Sequence, residues 1–285
     1  MGNDAIIPSR GKGPEQMDLA LARLGLLDDA DIDLAEAALA CAAADRPHLD
    51  LAPLRARIAG LAVRLLGDAA GVTSSRARAR LLAALIAGRE GLTGDTLTYD
   101  DPDNADLAML FERRHGLPVT LALLYVALAR RVGWTADALN VPGHVLVGIG
   151  GESDRHLIDA FDHGRAVGPA GLAGLVARAA GGHVAPSAEH VRAMTNREVL
   201  VRLLSNQATR ARRSGDNARA LLLAERMTAI APDMTGLWWE RARLEQQAGD
   251  VAGARASLTA MLETTHDDRI VARIAAALTT LASSP

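Results

Sequence analysis

Aromatic side chains are scarce in this 285-residue chain, which has three tryptophans, two tyrosines and two phenylalanines. Its core must therefore be assembled from Ala, Leu, Val and Ile. With 49% hydrophobic residues there is enough apolar surface for a folded protein, and the length suffices for more than one domain. The abundance of Ala, Leu, Arg and Glu favours helix. Cysteine is nearly absent as well. Cys41, the only thiol, sits in the Ala-rich stretch Leu39-Ala40-Cys41-Ala42, which excludes a disulfide framework and fits a small buried hydrophobe in a reducing compartment. Neither sign of charge dominates, since 31 basic residues are interspersed with 34 acidic ones. That balance argues against a nucleic-acid surface, and the basic cluster Arg210-Ala211-Arg212-Arg213 reads as a helix end. No apolar run reaches the roughly 18 residues needed to cross a bilayer. The start, Met1-Gly2-Asn3-Asp4-Ala5-Ile6, lacks a secretion-type apolar run and carries Ile6 where a myristoylation motif needs Ser or Thr. The expectation is a cytoplasmic protein that meets neither membrane nor nucleic acid.

Punctuation by Gly, Pro and capping residues divides the chain. Pro8, Gly11, Gly13 and Pro14 predict a disordered arm over residues 1–15. Residues 16–90 read as a helical bundle, with helices over Met17–Leu26, Ala30–Ala44 (Asp29 as N-cap), Leu51–Gly67 and Ser74–Gly88. A second part, 91–190, begins with the turn-rich stretch Gly91–Asn104; Asp103 or Asn104 then caps a helix over Ala105–Arg114. Pro118 opens the next helix at the first helical position, which suits proline. That helix reads Val-Thr-Leu-Ala-Leu-Leu-Tyr-Val-Ala-Leu-Ala and is apolar nearly all round, hence buried. After Gly133 the period shifts towards two, giving short strands over Trp134–Val141, His144–Ile149 and Arg155–Ala160. A central helix on a small antiparallel sheet makes the fold class α+β.

The third part, 194–285, is helical and repeats. Gly215 and Gly249, Asp216 and Asp250, Ala208 and Ala242, Ala220 and Ala254, and Met227 and Met261 are each 34 residues apart. This is the tetratricopeptide period, with small residues where paired helices approach closely. Two units, Val199–Pro232 and Asp233–His266, precede a capping helix over Asp268–Ala282.

The stretches Tyr99–Asn104, Phe111–Leu121, Ala129–Gly133, Pro142–Val147 and Ile158–Phe161, in this domain order, resemble the SirB family of bacterial proteins. Members of that family pair a transglutaminase-like domain with C-terminal tetratricopeptide repeats. The chain departs from the family pattern at Asp95, Ala105, Val145 and Ala160, where the family usually has Asn, Ser, Phe and Pro. The resemblance implies a papain-like transglutaminase core, with a nucleophile at the start of the central helix and a His and an Asp on neighbouring strands. Counting back from Gly133 places Pro118 at the nucleophile position and assigns His144 and Asp159 to the other two roles. A helix start lowers a thiol pKa, but proline has no nucleophilic atom, so cysteine-dependent acyl transfer is excluded there.

Thr120, Arg113 and Asn140 are the further candidates for a pocket at this place. Thr120 is read either as a substitute nucleophile or as a hydroxyl bonded to backbone; Arg113 either binds a carboxylate or pairs at the surface. His144, His156, Asp159, Asp162 and His163 have ligand chemistry but no HExxH or CxxC frame. Asp101-Pro102-Asp103 lacks the glycine of a calcium loop, and Gly148-Ile149-Gly150-Gly151 opens no helix. No metal or cofactor is expected. Trp238 and Trp239, on the first helix of the second repeat, are candidate anchors for a peptide. The function expected is a non-catalytic, transglutaminase-like interaction protein that binds a protein or peptide partner. The alternative is a hydrolase or acyltransferase using a His144–Asp159 dyad as general base. The sequence does not determine the oligomeric state.

Overall fold

Residues 14–180, 182, 187 and 191–283 are described by a computed structural model. Most of the arm expected at residues 1–15 lies outside the described residues. The fold is α+β and mostly helical. Four helices come first: α1 (Pro14–Gly25), α2 (Leu34–Asp45), α3 (Ala52–Asp68) and α4 (Ser75–Ala83), the last running into a wide turn at Ala84–Arg89. A short parallel pair, β1 (Thr93–Gly94) and β2 (His115–Gly116), brackets α5 (Leu107–Arg113). Then follow α6 (Pro118–Arg131), β3 (Ala136–Val141), β4 (His144–Ile149), β5 (His156–Asp159), β6 (Arg165–Ala166), α7 (Pro169–Ala180) and β7 (Arg192–Ala193). The remainder is helical: α8 (Asn196–Arg213), α9 (Asn217–Ile230), α10 (Thr235–Gln247), α11 (Val251–Glu263) and α12 (Asp268–Ser283).

The sheet has the order β6-β5-β4-β3-β7 and is antiparallel throughout. α6 lies on one face, and every residue from Pro118 to Ala129 is buried. It packs on β3 and β4 and is enclosed on its other sides by α2, α3, α4 and α8. α7 covers the opposite face, where Val176 meets Leu139, Val141 and Leu146. Reading by periodicity leaves α7 unassigned, because Gly171 and Gly174 interrupt it and weaken helix propensity.

Two helix starts differ from those expected. The N-cap of α2 is Asp33, whose Oδ1 accepts from the Ala35 and Glu36 amides at 2.9 and 3.0 Å. Asp29 serves another helix: its carboxylate accepts from the Asn196 and Arg197 amides at 2.8 and 2.9 Å, in the first turn of α8. Likewise Asp106 caps α5, accepting from Ala108 N at 2.7 Å. Asn104 turns inward, donating to Asp95 and to the Thr98 carbonyl.

The repeat signature has a structural counterpart at each position. Gly215 and Gly249 adopt φ of +80° and +81°, a left-handed turn that favours glycine. The following residues, Asp216 and Asp250, accept from the third amide of α9 and α11 at 2.9 and 2.8 Å. Ala220 and Ala254 are fully buried where the paired helices cross.

Buried apolar residues run from Leu21 through α6 to Ile230 and reach the second repeat at Leu244, whereas the rest of that repeat and α12 have their own cluster around Leu258 and Ile274. A charged seam joins the first helices to α9. Asp45, at the end of α2, accepts from Arg219 and Arg226, and the latter is only 6% exposed. Beside it Cys41 is buried, and burial pushes its thiol up to about 12. Burial would raise the Asp45 carboxyl, but hydrogen bonds from Arg219 and Arg226 outweigh it and hold the pKa below its ordinary 3.8. The stabilisation from Asp45 is thus present above that value and lost as pH falls below it. Asp45→Ala should destabilise the chain by about 3–5 kcal/mol, because it takes the paired carboxylate away from a buried guanidinium. The check is the urea midpoint at pH 7, and the difference between the two proteins should shrink as the pH is taken below the ordinary carboxylate range.

Candidate functional site

α6 begins where β2 turns under the β1 loop. Leu117 precedes the helix in extended conformation, with φ −74° and ψ 161°, and no side chain caps the helix start. Pro118 occupies the first helical position. The β3–β4 turn, Pro142-Gly143, is tight because Gly143 takes φ +71°, and it delivers His144 as the first residue of β4. Asp159 ends β5. The two side chains meet: His144 Nε2 lies 2.9 Å from Asp159 Oδ2, with 15% and 12% of each side chain exposed. The contact is one of proximity, since the ring N–H is not aimed at the carboxylate and Nε2 makes no hydrogen bond. Asp159 is held by its own loop, its Oδ1 accepting from the Phe161 and Asp162 amides at 3.0 and 3.3 Å.

Phe161 links this pair to the rest of the molecule. Its ring stands edge-on to His144 at 6.1 Å and to Tyr99 at 5.9 Å, and the Arg210 guanidinium of α8 lies 5.7 Å from the Tyr99 ring centroid. Gly94 makes room for Phe161, for a Cβ there would stand 2.5 Å from its ring. The loop bearing Tyr99 is tied down by Asp95, which is buried and accepts from the Leu97 and Thr98 amides, the Thr98 hydroxyl and the Asn104 amide. Burial would raise the Asp95 pKa, but these donors, led by Thr98, hold it well below the usual carboxylate range. Beneath the site Tyr125 is fully buried, and its hydroxyl has no hydrogen-bond partner. Burial, then the negative charge of Asp159, pushes its pKa above the ordinary value.

The space at the helix start is a crevice of about 10 Å³, room for one water-sized group. Tyr99, Pro118, Val119 and His144 line it, and Arg202 and Asn206 of α8 reach in from the opposite side. Arg202 and Asn206 went unrecognised in the sequence because they lie in a repeat helix with no motif of their own.

The other candidates lie elsewhere. Thr120 is fully buried and its hydroxyl donates to the Asn104 carbonyl at 2.7 Å, tying the loop to α6. Arg113 pairs with Asp101 at 2.7 Å and Asp103 at 3.4 Å. Asn140 is exposed on β3 opposite Val145 and does not line the crevice. Trp238 donates from its indole to the Pro232 carbonyl at 2.7 Å, and Trp239 lies under the Arg273 guanidinium at 3.9 Å. Among the described residues no group of three or more His, Cys, Asp or Glu is placed to hold a metal, and no helix is long and apolar enough to cross a membrane.

Comparisons with known proteins place these features in context. A profile of the tetratricopeptide repeat matches residues 207–279. A UPF0162 protein of Xylella fastidiosa (strain 9a5c) is 27% identical over 243 residues, covering 84% of this chain and 86% of that one. Mouse F-box only protein 21 is 28% identical over 162 residues, 53% of this chain but 25% of its own. A crystal structure of menin, described as revealing the binding site for the Mixed Lineage Leukemia protein, superposes with a TM-score of 0.43 at 14% identity, covering 90% of this chain and 71% of that one. The profile described as transglutaminase-like superfamily matches residues 52–205, more than half of the 285 residues, and the chain belongs to that superfamily.

Proposed function

We propose that this protein is a non-catalytic, transglutaminase-like interaction protein, a pseudoenzyme of the SirB type that binds a protein or peptide partner through its core crevice and its repeats. On this reading the chain divides into a helical bundle (16–90), a core (91–190) and a repeat segment (194–285). The observation that carries the proposal is Pro118 at the first position of α6. Proline supplies no nucleophilic atom, and it also lacks the N–H that the first helical residue would otherwise offer to a developing oxyanion. One residue thus removes two components of acyl-transfer chemistry. The crevice beside it, closed by Tyr99 and by α8, has no room for a peptide or acyl group in line with His144. Stacked helix pairs favour a partner-binding role, since such arrays present extended concave surfaces.

A second reading rests on the contact between His144 and Asp159. That pair would serve a hydrolase or acyltransferase as general base towards water. The misaligned ring N–H and the narrow crevice weigh against it.

The wild-type chain should give no amidase or transglutaminase turnover on generic glutamine or peptide substrates. Turnover that survives Cys41→Ala and disappears with His144→Ala would establish the hydrolase reading instead. Pro118→Cys should carry a thiol with a pKa below the ordinary value of about 8.5, read from its thiolate absorbance against pH, while Cys41 stays silent until the chain is unfolded. A thiol at position 118 without that lowered pKa would remove the assignment of that position. For the interaction role, a partner captured saturably by the full chain should bind more weakly to Arg202→Ala or Trp239→Ala, measured by titration of the purified pair; affinities unchanged in both variants would place the interface elsewhere.

A further inference from the structure

A second cavity lies between α4 and β5, and its lining shares no residue with the crevice at the start of α6. It holds about 260 Å³, enough for a phosphate-sized group with water around it and below the size of most drug-binding pockets. α4 supplies one wall through Arg76 and Arg80, and β5 supplies another through His156. The two arginines are four residues apart, so their guanidiniums share one face of the helix. Both are exposed, and neither has an acid partner among the described residues, although most ion pairs of this protein involve arginine.

The carboxylate that acts on His156 is already engaged. Asp154 accepts from the Ser75 hydroxyl at 2.7 Å and from the Ser75 amide at 3.2 Å, at the first residue of α4. The charged groups that act on His156 are therefore Arg76 and Arg80 from α4, opposed by Asp154. Burial first, then the two arginines, lowers the proton affinity of His156. The back of the cavity is formed by Ala83 and Gly164. Directly behind Gly164 lies the Tyr125 hydroxyl, fully buried and without a partner, at 2.9 Å from where a Cβ on Gly164 would stand. Two unpaired like charges on one helix face repel each other, and an imidazole facing them is disfavoured as a cation. A multivalent anion offsets both effects at once.

We propose that this cavity is an oxyanion site, taking inorganic phosphate or the phosphate head of a small monoester between Arg76, Arg80 and His156. Planar guanidiniums match the oxygen geometry of phosphate, and two of them balance a dianion where a single carboxylate would leave one charge over. The site is independent of the start of α6 and of the partner-binding reading above.

The experiment is a titration of the full chain with inorganic phosphate, followed by NMR through the His156 imidazole signals, which His156→Gln assigns. Phosphate should shift these signals saturably and raise the His156 pKa, because a bound anion favours the imidazolium; sodium chloride at equal ionic strength should do neither. Arg76→Ala/Arg80→Ala should bind phosphate roughly tenfold or more weakly, with an unchanged melting temperature since both side chains are exposed and unpartnered. A chloride response equal to that of phosphate, or unaltered phosphate binding by the double variant, overturns the proposal. Glycerol 1-phosphate run in parallel distinguishes the sources. Tighter binding than inorganic phosphate assigns the cavity to an ester, and equal or weaker binding assigns it to free phosphate.

Discussion

The structure depends on burying a helix that has no polar face. Every side chain of α6 from Pro118 to Ala129 is withdrawn from water, so no single neighbouring layer suffices. A sheet covers one side, α2, α3 and α4 cover others, and α8 closes what remains. Enclosure on all sides explains why the apolar core continues from Leu21 through the first repeat to Leu244. Burial of that extent is favourable at roughly 25 cal/mol for each Å² removed from water. Of the polar groups that come with it, the Thr120 hydroxyl donates to the Asn104 carbonyl and Asp45 accepts from its arginines, while the Tyr125 hydroxyl has no partner.

The same enclosure governs the candidate site. A helix start inside a packed core can only be reached along its rim, and in this chain Tyr99, Phe161 and α8 crowd the rim. The ring sequence from His144 through Phe161 to Tyr99 and Arg210 connects the strand residues to the repeats. Pro118 suits both halves of this arrangement: its fixed φ pre-organises the first turn, and its missing N–H costs nothing where no intrahelical partner exists. His144 and Asp159 lie 2.9 Å apart while Asp159 is bonded to its own loop amides.

Much of the fold was legible in local pattern. The all-apolar run after Pro118, the alternation from Ala136 onward and the Gly-Asp pair recurring 34 residues apart each state which face is buried or where a turn must fall. α7 was not legible, because its glycines blur the helical period. The caps of α2 and α5 were misread for a related reason. Several aspartates compete within a few residues of each helix start, and local sequence does not say which carboxylate the neighbouring amides will meet.

The sequence by itself determined most of the helices, the three central strands of the sheet, the repeats and the lack of a nucleophilic atom in Pro118, since these follow from periodicity, turn chemistry and the atoms a residue possesses. Tertiary structure alone decided which side chains share a site. Asp29 accepts from an amide 167 residues away, Arg202 and Asn206 arrive at the crevice from a repeat helix, and Arg76 and Arg80 face His156 across a cavity. The physical reason is range. Hydrophobic periodicity acts over one or two turns of chain, whereas a crevice is defined by contacts between segments that meet only after the buried helix has drawn its covering layers around it.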